Sequence, residues 1–119
     1  MCIKRLTILI FFLAAIYLGG CVPHEEWAPM SIKNDTNQAL TFYIAVSDGD
    51  ITDQTTRDSI GVVQPANEIR PYVMDGFSKY LVEARDSKNQ IVYSRVFMRE
   101  ELKRMKWRIV ISTVDLKGV

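Results

Sequence analysis

Thiols and imidazoles are scarce in this 119-residue sequence: two cysteines, Cys2 and Cys21, and one histidine, His24. Nucleophilic catalysis of the Ser-His-Asp kind needs a base held beside the nucleophile, and no strand pattern positions His24. No Ser-x-x-Lys motif offers a lysine base instead. Zinc needs several Cys or His ligands at fixed spacing, and His24-Glu25-Glu26 is not a His-Glu-x-x-His motif. An excess of either charge is missing too. The 15 basic and 14 acidic residues leave a net charge of +1, which excludes a highly charged nucleic-acid binder. Only six glycines and four prolines occur, and 48% of residues are apolar, so collagen-like and disordered chains are excluded as well. There is no internal repeat, no low-complexity tract and no strand–helix–strand alternation. The length bounds one small domain, since domains typically run to about 100–150 residues.

The apolar residues are unevenly spread. The first 20 positions hold 15 of them and only two charges, Lys4 and Arg5. After this basic start, Leu6 to Tyr17 is a 12-residue apolar run. A secretory signal core is about 7–15 residues long, whereas a spanning helix needs about 20. Leu18-Gly19-Gly20-Cys21 follows directly. An aliphatic residue, two small residues and a cysteine behind such a run resemble the lipobox of bacterial lipoproteins. The resemblance implies cleavage between Gly20 and Cys21 and a diacylglycerol thioether on Cys21. It also implies export, with a signal helix at 1–20 and a lipidated cysteine at 21; two prolines in Val22–Pro29 extend this as a tether to 29, and the strand pattern beyond sets a domain at 30–116 and a tail at 117–119. Val22, not Asp, follows the cysteine. In a Gram-negative bacterium of the enteric type this implies a periplasm-facing place on the outer membrane. The competing reading is an uncleaved helix, because Leu6 to Pro23 carries no charge over 18 residues. Under the lipoprotein reading the mature domain has neither thiol nor disulfide and rests on its hydrophobic core.

Beyond the tether the signals are those of strands. Ser31–Asn34 is a short one, followed by turn chemistry at 35–38. Ala39–Val46 is rich in β-branched and aromatic residues and apolar on both faces, as a central strand should be. A polar loop precedes Ser59–Val63. Pro71 interrupts 69–73, which demotes it to an edge. Lys79–Arg85 alternates, with Tyr80, Val82 and Ala84 inward and Lys79, Glu83 and Arg85 outward. A hairpin loop at 86–89 leads to Gln90–Met98. Met98, Leu102 and Met105 make the apolar stripe of a short helix, with Glu100 and Arg104 as an i,i+4 pair. Trp107–Val114 is the last strand. This pattern predicts an all-β fold: a small two-sheet antiparallel β-sandwich of six or seven strands, with one short helix before the last. The loop Asp-Ser-Lys-Asn-Gln and the Arg-Glu-Glu-Leu turn make it loosely similar to the Ig-like or transthyretin-like sandwiches of exported bacterial lipoproteins.

Three sets of residues are candidates for chemistry. Asp48, Asp50 and Asp53 offer hard oxygens for a cation in the long loop, although the position needing a bidentate Glu in an EF-hand holds Ser59. Lys103, Arg104, Lys106 and Arg108 form a basic cluster suited to anionic lipid or a polyanion, offset by Glu100 and Glu101. Trp27, Tyr72 and Phe77 lie outside clear strands and are candidates for a surface patch. Asn34-Asp35-Thr36 matches a glycosylation sequon. No catalytic set, metal site or cofactor is expected apart from the covalent lipid, and no nucleic acid is expected as partner. The reading is a membrane-anchored envelope module, non-catalytic, that binds or scaffolds a protein partner, with 39–46 and 91–98 as candidate strand-addition edges. The alternatives are a cell-wall-active hydrolase or inhibitor, requiring polar groups that converge in one pocket, and basic-patch binding to anionic lipid or a polyanion.

Overall fold

The computed structural model describes residues 27–117. Cys2, Gly20, Cys21 and the whole of the expected signal segment therefore lie outside the described residues. The described chain is mostly β, with three sheets of two to four strands around one hydrophobic core. Nine strands form: β1 (Trp27–Pro29), β2 (Ser31–Asp35), β3 (Leu40–Ser47), β4 (Asp58–Val63), β5 (Glu68–Ile69), β6 (Tyr72–Met74), β7 (Lys79–Arg85), β8 (Ile91–Met98) and β9 (Arg108–Ser112). Helix α1 (Arg99–Arg104) joins β8 to β9, and a single 3-10 turn, Thr113–Asp115, follows.

The largest sheet has the order β4-β3-β7-β8, all antiparallel. Alternation along β3 and β7 sends Leu40, Phe42, Ile44, Tyr80, Val82 and Ala84 into the core, as a period of two requires. The second sheet, β5-β2-β9, contributes Ile32, Ile109 and Ile111 to the same core. Its β2–β9 pair is parallel, with Ser31 opposite Arg108 and Asp35 opposite Ser112. The expectation of two wholly antiparallel sheets therefore needs correction on both counts. Parallel neighbours need a crossover, and here most of the domain lies between the two strands.

The third sheet pairs β1 with β6 and corrects a boundary. Residues 27–29, expected as tether, are a strand. Trp27 stands opposite Met74 and Pro29 opposite Tyr72, while Ile32 stands opposite Ile69 and Lys33 opposite Glu68. Between them the Met30 N–H donates to the Pro71 carbonyl at 3.0 Å. The register thus runs on from one sheet into the other as a single bent ribbon. Pro71 has no N–H to return, so the ladder breaks at that residue.

Polar satisfaction explains several further details. Asn34 is fully buried. Its amide donates to the carbonyls of Gln38 and Val63, both at 2.8 Å, and its oxygen accepts from the N–H of Thr36 at 3.0 Å and its hydroxyl at 2.6 Å. The sequon match is therefore a buried plug between β2, the following turn and β4. The Tyr80 hydroxyl donates to the Met74 carbonyl at 2.6 Å, so a fully buried tyrosine leaves no polar group unpaired. The helix also departs from expectation. Only Leu102 of the stripe is fully buried, and Glu100 pairs with Arg99 at 3.5 Å, not with Arg104.

Candidate functional site

The three loop aspartates do not converge. The Asp48 carboxylate accepts from the Ser78 N–H at 3.0 Å, and its carbonyl accepts from the Ser78 hydroxyl at 3.2 Å. Asp50 is exposed and meets Lys79 Nζ at 3.4 Å. Among the described residues no three His, Cys, Asp or Glu side chains gather as metal ligands would. In place of a cation cage, the loop is fixed to the turn before β7.

The basic cluster divides. Lys103 and Arg104 lie on α1, both exposed. Lys106 and Arg108 line a groove of about 370 Å³ with Pro29, Ser31, Glu68 and Arg70. Within it, the Ser31 hydroxyl and Arg70 Nη2 both donate to the Glu68 carboxylate, the latter at 3.3 Å. These bonds, Arg70 first, hold the Glu68 carboxyl below its ordinary pKa. Lys106 and Trp107 have φ of 58° and 60°, a left-handed turn that takes the chain out of α1 and into β9. Such backbone disfavours side-chain-bearing residues. It is held by the Trp107 N–H donating to Leu102 at 2.8 Å and by edge-on packing of Trp107 on Tyr80, centroids 5.4 Å apart. Arg70 had no place in the sequence-derived cluster, because it stands 36 positions before Lys106.

Of the two candidate edges, β3 is excluded, since it lies between β4 and β7. β8 is an edge strand of eight residues. Its start is partly covered, where the Lys117 N–H donates to the Val92 carbonyl at 2.7 Å. Tyr93 and Phe97 turn inward, and burial raises the pKa of the Tyr93 phenol. Arg95 lies over the Phe97 ring at 4.3 Å and pairs with Glu101 of α1. Val96 and Met98, 44% and 48% exposed, face out on the other side. Met98 also lines a groove of about 450 Å³ with Asp48, Phe77, Ser78, Arg99 and Glu100. Among the described residues, the outer edge of β8 beyond Val92 thus pairs with no strand and has two exposed apolar side chains and a recess at its end.

The surroundings of Glu83 escaped the sequence reading. Glu83, expected to face outward, is 2% exposed. It does face away from Tyr80, Val82 and Ala84, but Arg57 and Arg85 cover it at 3.3 and 2.9 Å. Arg57 also donates to the carbonyls of Thr52 and Thr55, at 3.0 and 2.6 Å, which makes it the clamp of the long loop. Each Glu83 carboxylate oxygen thus meets a guanidinium group. Of the aromatic candidates, Trp27 and Tyr72 stand on the outer face of the β1–β6 ribbon, 56% and 70% exposed, while Ala28 and Val73 face the core and are buried. Phe77, the third aromatic candidate, is half-buried against the core.

A scan against protein-family models, a search of curated proteins and a search of solved structures each return no match for this chain.

Proposed function

We propose that this chain is an exported bacterial envelope lipoprotein, lipidated on Cys21, whose β domain is a non-catalytic module that binds an extended segment of a protein partner along β8. The observation that carries the binding part is the edge of β8 beyond Val92, which pairs with no further strand among the described residues, with Val96 and Met98 exposed beside the groove at its end. Edge strands recruit partners through main-chain hydrogen bonds, and side-chain recesses supply selectivity. The anchoring part rests on the basic start, the 12-residue apolar run and Leu18-Gly19-Gly20-Cys21 in that order. We read the four- and three-stranded sheets as the two layers of an Ig-like or transthyretin-like sandwich, because both feed one core.

Two experiments test this. The first is the mass of the protein purified from membranes, beside Cys21→Ser. Residues 21–119 plus acyl chains is the expected species, and an unmodified full-length mass would sink the lipid anchor. The second places a photoreactive residue at Val96 in cells. Cross-linking to a discrete envelope protein, suppressed by Met98→Glu and absent from a probe at Val114, is expected. Equal labelling from both probes would show that β8 is not the binding edge.

A further inference from the structure

The outer face of the β1–β6 ribbon and the basic groove beside it form one continuous surface. A period of two puts Ala28 and Val73 in the core and turns Trp27, Pro29, Tyr72 and Met74 the other way. Trp27 and Tyr72 are therefore large, exposed aromatics on a common face. Pro29, opposite Tyr72, also lines the groove that holds Arg70, Lys106 and Arg108. The groove's one carboxylate, Glu68, is already bonded to Ser31 and Arg70. Lys106 and Arg108 have no ion-pair partner among the described residues.

We infer that this aromatic face and its basic rim seat the domain on the headgroup layer of an anionic phospholipid bilayer. Trp and Tyr rings favour the boundary between water and hydrocarbon, where the ring is desolvated and its polar atom stays wet. Unpaired Lys and Arg beside them meet lipid phosphates. The length of chain leading to the face argues for a bilayer and against other occupants. Cys21 lies six residues before Trp27, so even fully extended the chain spans only about 22 Å at most. If Leu6–Pro23 spans the membrane instead, the distance is shorter still. Under either anchor the bilayer surface is within a few residues of Trp27. Glu25 and Glu26 in that stretch weaken the electrostatic attraction. The aromatic pair therefore makes the contact, and the basic rim sets the preference for anionic lipid.

This inference rests on the anchored reading above, and its test separates the two. The full chain, purified from membranes, is reconstituted in vesicles of equal phosphatidylcholine and phosphatidylglycerol. Tryptophan emission is quenched either by iodide in the buffer or by spin-labelled lipid carrying its label near the headgroup. Subtracting the same data for Trp27→Phe isolates Trp27 from half-buried Trp107. The expected result is quenching of Trp27 by the lipid label and loss of its iodide quenching relative to detergent. Phosphatidylcholine alone should give less of both, and Lys106→Glu with Arg108→Glu should abolish that lipid preference. Iodide access unchanged between detergent and vesicles overturns the seating, as does protection of Trp27 only in native envelopes, which would indicate a protein partner. Lipid preference unchanged in the double variant overturns the role of the basic rim. The mass of the reconstituted chain reports on the anchor independently. An exposed Trp27 in an acylated 21–119 chain counts against the seating alone, and a seated Trp27 in an unmodified chain counts against the lipid alone.

Discussion

Glu83 of β7 and Arg57 at the end of the long loop, 26 positions apart, meet at 3.3 Å across the outer face of the four-stranded sheet. Arg57 is the joint between a ten-residue stretch with no strand of its own and a strand at the centre of the domain. Arg57→Ala removes one partner of a buried carboxylate and is expected to cost about 1.5–3 kcal/mol, the range for a hydrogen bond to a charged group. Arg85 keeps Glu83 from being stranded entirely. Urea denaturation measures the loss. Limited proteolysis should show faster cutting within 49–56, and an unchanged cutting rate would mean that Arg57 does not clamp the loop.

Asn34 offers a second stability test. Three of its four hydrogen bonds are buried and the fourth, to Gln38, is partly so. Asn34→Ala takes this partner from the buried Val63 carbonyl and the Thr36 N–H, at about 1–3 kcal/mol for each buried group stranded, while the Thr36 hydroxyl keeps Gln38. Asn34→Asp should be worse than Ala, because it removes both donors and buries a charge. Thermal melts of the two variants order them directly, and an Asp variant as stable as wild type would contradict the buried plug.

At the β8 edge, stability and binding should separate. Val96 is exposed and its side chain anchors nothing in the core, so Val96→Glu is expected to change stability by no more than about 0.5 kcal/mol. Partner capture should be lost, since an inserted charge on an edge opposes strand addition. A variant that melts like wild type and still captures the partner as wild type does would remove Val96 from the binding surface.

The groove carboxylate makes a pH prediction. Arg70 and Ser31 favour the ionised form of Glu68, so its folded pKa lies below the unfolded one. Its contribution to stability is then present above the ordinary Glu value and is lost as pH falls through the lower, folded value. The site is exposed, so the contribution is small and sensitive to salt. A carboxyl-carbon NMR titration should place Glu68 below a free glutamate in the folded protein, and Arg70→Ala should move it back up. No movement would mean that Arg70 does not hold it.

Much of the strand pattern was legible because it depends on short-range alternation. Lys79–Arg85 is read with its observed bounds, Leu40–Ser47 is shifted by one residue at both ends from the expected 39–46, and Ile91–Met98 begins one residue later than expected. Pro71 was also legible as an interruption, since it lacks an N–H wherever it sits. The ribbon strand at 27–29 was not, because two prolines within eight residues read as tether, and three residues become a strand only when Tyr72–Met74 arrives to pair with them.

What the sequence determined by itself is therefore local: which stretches are extended, where they turn, that 39–46 is fit for a sheet interior, and the ordered basic, apolar and small residues leading to Cys21. What the tertiary structure decided is juxtaposition. It placed β9 parallel to β2, made β8 an edge and β3 a centre, buried Glu83 between two arginines and brought Arg70 beside Lys106 and Arg108. The physical reason is range. Backbone alternation repeats every two residues and can be read one segment at a time. Ion pairs, edges and grooves arise from which segments pack together, and that is settled by the burial of one shared core.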